Sequence, residues 1–196
     1  IVGMPSAPLS SNGTKTSSGA VAIYTGPAWS LGQVIANPHF GTSLATTSDN
    51  FGASVNLGTN VMVVGFPNDS YDETDTNGLT NAGSAYVYQY NDTWTLLQKI
   101  VGWGRDRNNG DLAGASVWYQ DGFAFIGAPG HNYDINDTNY LAGAGAVYVW
   151  QWSGSDWTYS QKITPSNRHA GDGFGSSITG DTGIVVIGAP TASYDS

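Results

Sequence analysis

Apolar residues in this chain cluster into short groups that return at a nearly constant interval. One group is an apolar run that ends in Gly-x-Pro, and it occurs at residues 2–5, 64–67, 126–129 and 187–190. Its glycines are Gly3, Gly65, Gly127 and Gly188, so the repeat has a period of about 62 residues. A fixed period of this length is the signature of a repeat architecture, so the elements of one unit predict those of the others.

Three other patterns recur in register with the first. A Gly-x-Ser element precedes the apolar run, and an aspartate stands three residues before its glycine, as Asp49, Asp111 and Asp172. A glycine-led aromatic stretch follows the run. After that stretch comes a tryptophan with a glutamine four residues later, and these tryptophans are Trp29, Trp94 and Trp157.

The periodicity of each recurring group is that of a β-strand. Residues 61–64, 123–126 and 184–187 are short and wholly apolar, which suits strands buried on both faces. The aromatic stretch alternates small aliphatic and aromatic residues, as in a strand between two different layers. Asp121-Gly122 predicts a type I′ hairpin, in which both turn residues need positive φ. One unit is therefore predicted to be a four-stranded antiparallel sheet, and a β-sandwich with accidental similarity is the alternative.

Several of these motifs together resemble a known repeat family. They are Gly-Asp-x-Phe-Gly-x-Ser-Ile at residues 171–178, Val-Ile-Gly-Ala-Pro at 186–190 and Gly-Ala-Val-Tyr-Val-Trp at 145–150. They look like FG-GAP repeats, the blades of the integrin α-subunit propeller and of many secreted or surface proteins. The resemblance implies an all-β fold of β-propeller blades, with about three blades' worth present and incomplete. It implies the fold more specifically than the function, because such blades serve adhesion, scaffolding and enzyme-appended modules.

The phase of the repeat predicts how the chain is divided. Residues 1–196 form part of one repeat domain, in which 1–50 are a partial blade and linker, 51–112 and 113–173 are one blade each, and 174–196 start the next. Propellers typically have four to eight blades. We therefore expect a fragment of a longer chain or a protomer completed by a neighbour, with other copies or the rest of that chain as partners.

Charge and composition narrow the expected partners and location. Acidic residues outnumber basic ones by 15 to 6, the net charge is −9, and there is no cysteine. This charge disfavours nucleic acids and anionic membranes as partners. Because only 11% of residues are charged, the surface must consist mostly of Ser, Thr, Asn and Gly, as in many extracellular β-proteins. We expect a secreted or cell-surface protein without membrane insertion.

Four Asn-x-Ser/Thr sequons occur, at Asn12, Asn68, Asn91 and Asn136. All four fall in predicted loops or hairpin turns, where a glycan can be accepted. N-linked glycans are therefore expected if the source is a secretory eukaryote. The alternative is that these are ordinary turn-forming asparagines.

The acidic loop at residues 73–81 resembles the calcium loop of FG-GAP blades. Oxygen ligands at alternating positions with a glycine for the turn suit a hard cation, and the candidates are Glu73, Asp75, Asn77 and Asn81. However, the loop lies after the Gly-x-Pro element, whereas the integrin calcium loop lies before the corresponding strand. A Ca²⁺ site and a solvated acidic loop both remain open as interpretations.

The residues that recur in every unit are interpreted as structural. Asp49, Asp111 and Asp172 can accept backbone N–H bonds that fix the link between blades, and the recurring Trp29, Trp94 and Trp157 suit packing between blades. The sequence has no nucleophile elbow, phosphate loop or zinc motif, so we expect a non-enzyme. The leading hypothesis is an extracellular structural or adhesion module. The alternatives are a glycosylated building block of a self-assembling filament or coat, and a calcium-dependent propeller that binds a protein or glycan ligand.

Overall fold

The computed structural model describes residues 1–11, 14–46, 48–102 and 107–193. In this part of the chain the regular elements are all β-strands, and no helix is present. The strands in chain order are β1 (Val2–Met4), β2 (Pro8–Ser11), β3 (Thr14–Ser17), β4 (Ala20–Thr25), β5 (Ser30–Ala36), β6 (Ser54–Leu57), β7 (Val61–Phe66), β8 (Ser84–Asn91), β9 (Thr93–Val101), β10 (Ser116–Gln120), β11 (Phe123–Ala128), β12 (Ala146–Trp152), β13 (Trp157–Ile163), β14 (Ser177–Asp181) and β15 (Ile184–Gly188).

These strands form one sheet per repeat. Two sheets have four antiparallel strands in sequential order, and we call β6–β9 blade 2 and β10–β13 blade 3. The first sheet contains β1, β4 and β5, the last sheet contains β14 and β15, and β2 pairs with β3 as a separate hairpin. The predicted all-β fold of four-stranded antiparallel sheets is confirmed. The predicted hairpin at Asp121-Gly122 is also confirmed, with φ angles of 50° and 81°.

Adjacent sheets pack through unlike faces. The face of β8 that carries Ala85 and Val87 packs in one buried cluster with Tyr148 and Trp150 of blade 3. Its opposite face, with Tyr86 and Tyr88, packs in a second cluster against the first sheet. Both interfaces of blade 2 therefore place an aliphatic face against an aromatic one, and this explains why β8 alternates between two residue types.

The last sheet departs from the pattern predicted for it. The run in β15 was expected to be buried on both faces, but Ile184 is 64% and Val186 58% exposed. In blade 3 the corresponding Phe123 and Phe125 are only partly exposed, because the last sheet lies beside them. Within the described residues no further sheet covers Ile184 and Val186, so that part of the prediction is wrong for this chain.

Glycines allow the blades to approach each other at the start of each unit. A Cβ atom on Gly65 would lie 2.0 Å from the carbonyl oxygen of Gly114, and one on Gly127 would lie 2.1 Å from that of Gly175. Serine hydroxyls reinforce both contacts, because Ser54 Oγ donates to the Gly114 oxygen and Ser116 Oγ to the Gly175 oxygen. The recurring Gly-x-Ser and Gly-x-Pro motifs therefore meet across the interface between neighbouring sheets.

A glutamine at the same place of the repeat links the first sheet to blade 2 and blade 2 to blade 3. Gln98 donates through Nε2 to the Trp157 carbonyl at 2.9 Å and accepts from the Trp157 N–H at 2.8 Å. Gln33 makes the same pair of bonds to the backbone of Trp94, both at 3.0 Å. The recurring Trp and Gln positions thus belong to one contact between successive blades.

We predict that Gln98→Glu weakens this contact. The carboxylate lacks the N–H donor and faces the Trp157 carbonyl, so the free energy of unfolding should fall by about 1–2 kcal/mol. Urea denaturation of the purified chain measures this change. Gln161→Glu is the matched control, because Gln161 holds the equivalent place on β13 and is exposed. Equal losses in the two variants would contradict the prediction.

Candidate functional site

The loops after the second and fourth strands of each blade emerge at one edge of the sheets. These strands run in the same direction, because consecutive strands are antiparallel. We call this edge the rim, and it contains loops 68–81 and 130–143 and the segments 107–113 and 164–173. All of the candidate calcium ligands and two of the sequons lie on it.

Asp72 organises loop 68–81 from within. Its carboxylate accepts backbone N–H bonds from Thr74, Thr76 and Asn77, and also bonds from their side chains. Burial of Asp72 opposes ionisation, but the bonds from Thr76, Thr74 and Asn77 outweigh it and hold the pKa of this carboxyl well below its usual range. The loop therefore folds around one ionised aspartate.

Loop 130–143 has the same internal arrangement. Asp134 accepts the backbone N–H bonds of Asn136 and Thr138, and bonds from the side chains of Thr138 and Asn139. The backbone N–H of Thr138 lowers the pKa of Asp134, and partial desolvation raises it. The hydrogen bonds together outweigh desolvation and hold this pKa well below its usual range. Both loops are therefore ordered by the same device at equivalent positions of successive repeats.

A lysine from the fourth strand pairs with two aspartates of loop 68–81. Lys99 Nζ lies 2.8 Å from Asp69 Oδ2 and 2.6 Å from Asp75 Oδ1, and its ammonium stands 5.6 Å from the ring centroid of Tyr86. The His39 Nε2 atom also contacts Asp75 Oδ1, at 3.0 Å. Partial burial raises the pKa of Asp75, but the bonds from Lys99 and His39 outweigh it and lower that pKa overall.

The same position in blade 3 is occupied by Lys162. This side chain is 1% exposed and is paired with Asp137. His131 replaces Asp69 in this unit, and its imidazole is fully buried between Lys162, Tyr148 and Asp111. A buried ammonium on the rim is therefore a repeated feature, although its partners differ between the two blades.

An arginine from the following segment ties each loop from outside. Arg107 donates to the carbonyls of Asn77 and Ser70, both at 2.7 Å. Arg168 donates in the same way to the carbonyls of Asn139 and Asn132, at 3.1 and 2.9 Å. Burial lowers the pKa of both guanidinium groups, and nearby carboxylates oppose that effect. Each loop is thus braced by an aspartate, a lysine and an arginine.

The four predicted calcium ligands are not brought together around one point. Asp75 is paired with Lys99 and His39, and Asn77 directs its amide nitrogen to Asp72. Glu73 is exposed, and the Asn81 N–H donates to Ser70 Oγ. In the described ranges no three His, Asp or Glu side chains are arranged to hold a metal ion. Calcium binding by this loop stays a prediction from the sequence.

The three recurring aspartates occupy equivalent buried places. Asp49, Asp111 and Asp172 are 4%, 1% and 3% exposed. Each accepts a backbone N–H from the residue three positions earlier, namely Thr46, Asn108 and His169. Their carboxylates therefore hold the segment between sheets, which is the geometry expected for a structural role.

The three recurring tryptophans are placed differently from one another. Trp157 is 3% exposed in the cluster between blades 2 and 3, and Trp94 is half-buried against the first sheet. Trp29 is 72% exposed and does not pack between blades. The reason is positional, because Trp94 and Trp157 reach back to the preceding sheet, and the described residues contain no sheet before the first.

The sequons also differ in accessibility. Asn68 is half-buried and donates through Nδ2 to the Ser48 carbonyl at 2.7 Å. Asn91, at the β8–β9 hairpin, and Asn136, in loop 130–143, are exposed. Asn12 lies outside the described residues.

A comparison with protein families agrees with this geometry. The family model described as FG-GAP repeat matches residues 43–88 and 157–196. The chain contains FG-GAP repeats. In this FG-GAP chain the first match covers the blade 2 motif up to β8, and the second runs from β13 into the last sheet. No curated protein matches the sequence.

The rim network was not predicted from the sequence, although the sequence contains a signal for it. Both rim loops carry the pattern Tyr-Asp-x-x-Asp-Thr-Asn-x-Leu, at residues 71–79 and 133–141. A pattern that recurs in register with the repeat indicates a shared scaffold, in the same way as the Gly-x-Pro element. Lys99 and Lys162, which directly follow Gln98 and Gln161, belong to the same recurring pattern.

Proposed function

We propose that this FG-GAP chain is part of an extracellular, non-catalytic propeller module that serves a structural or adhesive role. The observation that carries the proposal is the bracing of loops 68–81 and 130–143. Asp72 and Asp134 fix each loop from inside, and Arg107 and Arg168 tie each from outside. Exposed loops held on a rigid scaffold are the usual place for recognition surfaces.

The non-catalytic part of the proposal is supported by how the rim charges are used. Asp69 and Lys99 pair with each other, and Asp111 contacts His131 within the buried scaffold. Groups committed to such pairs serve the fold, whereas a general acid or base must reach a substrate proton.

No helix in the described residues has the length and apolar character to cross a membrane.

Surface labelling tests the proposed location and role. A tagged copy of the complete gene is expressed in its own organism, and intact cells and culture medium are probed with antibody. We expect signal at the cell surface or in the medium, and cells lacking the gene should adhere less well to their substratum. A product found only inside the cell would contradict the extracellular assignment.

Glycosylation is expected to follow the accessibility of the sequons. We predict N-glycans at Asn91 and Asn136 and none at Asn68, because the Asn68 amide nitrogen is already bonded to Ser48. Peptide mapping after secretion from a eukaryotic host measures the occupancy. Asn91→Gln and Asn136→Gln should each remove one glycan, and Asn68→Gln should leave the mass of the attached sugar unchanged. Occupied Asn68 would overturn this assignment.

A second candidate function is self-assembly into a filament or coat. It is favoured by apolar side chains exposed on the outer sheets, which are Ile184 and Val186 on the last sheet and Tyr24, Leu31 and Val34 on the first. Apolar faces of neighbouring sheets pack against each other at the internal interfaces, so a head-to-tail contact between copies would bury these exposed side chains. Light scattering and negative-stain imaging test this idea, with Val186→Lys expected to prevent assembly. A monomer at high concentration would count against it.

A further inference from the structure

Comparison of loops 68–81 and 130–143 distinguishes the residues that order both loops from the residues that do not. Both contain the ordering aspartate, the lysine-paired aspartate and the leucine whose N–H bonds back across the loop, as Leu79 to Ser70 and Leu141 to Asn132. They differ at four pairs of exposed positions, and at two of these the second loop carries a large apolar or aromatic side chain. Glu73 and Gly78 in the first loop correspond to Ile135 and Tyr140 in the second.

The fold does not require the isoleucine and the tyrosine. Ile135 is 58% and Tyr140 60% exposed, although loop 68–81 adopts the same bonding with a charged residue and a glycine in their places. Single exposed apolar residues are common on protein surfaces. Here, however, two of them line the same cleft, so a role outside the scaffold is the better explanation.

The cleft lies between loop 130–143 and the segment that follows β13. Its volume is about 650 Å³, and its lining includes the side chains of Ile135, Tyr140 and Pro165 together with the polar side chains of Asn139, Thr164 and Ser166. The ring of Tyr140 is steadied by an edge contact with Tyr133, with centroids 5.5 Å apart. A site of this size suits a small ligand or a short chain of units.

The charged residues at the cleft already have partners within the protein. Asp134 is bonded by Thr138 and Asn139, and Arg168 by two backbone carbonyls. The hydroxyls of Thr164 and Ser166 make no hydrogen bond within the described residues, and the side chain of Asn139 bonds only through its amide nitrogen. The cleft therefore offers an exposed aromatic face, a hydrophobic wall and neutral polar groups, while the net charge of −9 repels polyanions.

We propose that this cleft binds a neutral saccharide. The apolar face of a sugar ring would stack on Tyr140, and its hydroxyls would bond to Asn139, Thr164 and Ser166, because an aromatic body beside polar groups matches both sides of a sugar. This inference rests on the proposed function as a module that presents its rim for recognition. It adds the ligand class and the site.

The experiment uses the chain produced without N-glycans, so that no sugar on Asn136 reaches the cleft. A panel of neutral gluco-, manno-, galacto- and xylo-oligosaccharides is titrated by calorimetry, with sulfated oligosaccharides as the anionic arm. We expect saturable binding of at least one neutral member. Ile135→Glu and Tyr140→Gly should each weaken that binding at least tenfold. Tyr90→Ala is the control for an exposed tyrosine elsewhere, and it should leave binding unchanged.

Loss of folding can be separated from loss of binding. The two substitutions introduce the residues that loop 68–81 carries at the same places, so the thermal midpoint should stay near that of the parent chain. Binding to no neutral member, preference for the anionic arm, or binding that survives both substitutions would overturn the saccharide site. If cells lacking the gene adhere poorly while the titrations show no binding, the saccharide site fails and the adhesive role stands.

Discussion

Gly65→Ala is expected to destabilise the chain strongly, and far more than Gly78→Ala. The new Cβ would lie 2.0 Å from the Gly114 carbonyl oxygen and 2.2 Å from Ser54 Oγ. Because the first of these atoms is backbone, the two blades must move apart to relieve the contact. Overpacking of this kind should lower the free energy of unfolding by on the order of 3 kcal/mol, a large part of the total stability of an ordinary domain.

Chemical denaturation monitored by tryptophan fluorescence measures this loss. Gly78→Ala is the matched control, since a Cβ there would meet nothing closer than the Ser70 carbonyl oxygen at 3.9 Å. Its stability should stay within about 1 kcal/mol of the parent chain. A Gly65→Ala variant as stable as Gly78→Ala would show that the blades do not approach as closely as described.

Lys99→Met is expected to have the second large effect. The Lys99 side chain is 6% exposed and the Asp69 side chain is fully buried, so the substitution leaves a buried carboxylate without its cation. Removing one partner of a buried ion pair usually lowers the free energy of unfolding by about 3–5 kcal/mol. Urea denaturation at neutral pH measures the change, and the loss of Lys99 should also loosen loop 68–81 in hydrogen exchange.

Two further variants identify the cause of that effect. Asp69→Asn in the Lys99→Met background removes the unpaired charge and should recover part of the lost stability. Asp75→Asn in the parent chain should have an effect below about 1 kcal/mol, because the Asp75 side chain is 42% exposed and Lys99 keeps Asp69. If Lys99→Met is no worse than Asp75→Asn, the buried pair does not stabilise the blade.

Much of the fold could be predicted from the sequence, because the determinants are local and repeated. The alternation in β8 and the Asp121-Gly122 turn depend on near neighbours, and the constant period of the repeat carries them from one unit to the next. The predicted burial of the second strand on both faces depends on a neighbouring sheet, and it is found only where that sheet is present. Val63 is buried beside blade 3, and the equivalent Val186 is exposed.

The rim was harder to predict, because its chemistry depends on which groups meet across the sheets. The sequence of loop 68–81 has the alternating oxygen donors of a cation site. It does not reveal that Lys99, on a strand that ends at the same edge, reaches Asp69 and Asp75. A pattern of ligands along one segment cannot show a cation supplied by another segment, unless the lysine is also recognised as part of the repeat.

The unlike faces of the sheets have a consequence for how such a chain can change in length. The two interfaces that flank blade 2 each join an aliphatic face to an aromatic one and use a glutamine from one sheet on the backbone of the next. A duplicated or deleted segment of one whole period therefore brings matching surfaces together at the new junction, wherever the breakpoint falls within the unit. An insertion of half a period would join two faces that do not match. Gains and losses of whole blades are thus the changes in length that this architecture tolerates best.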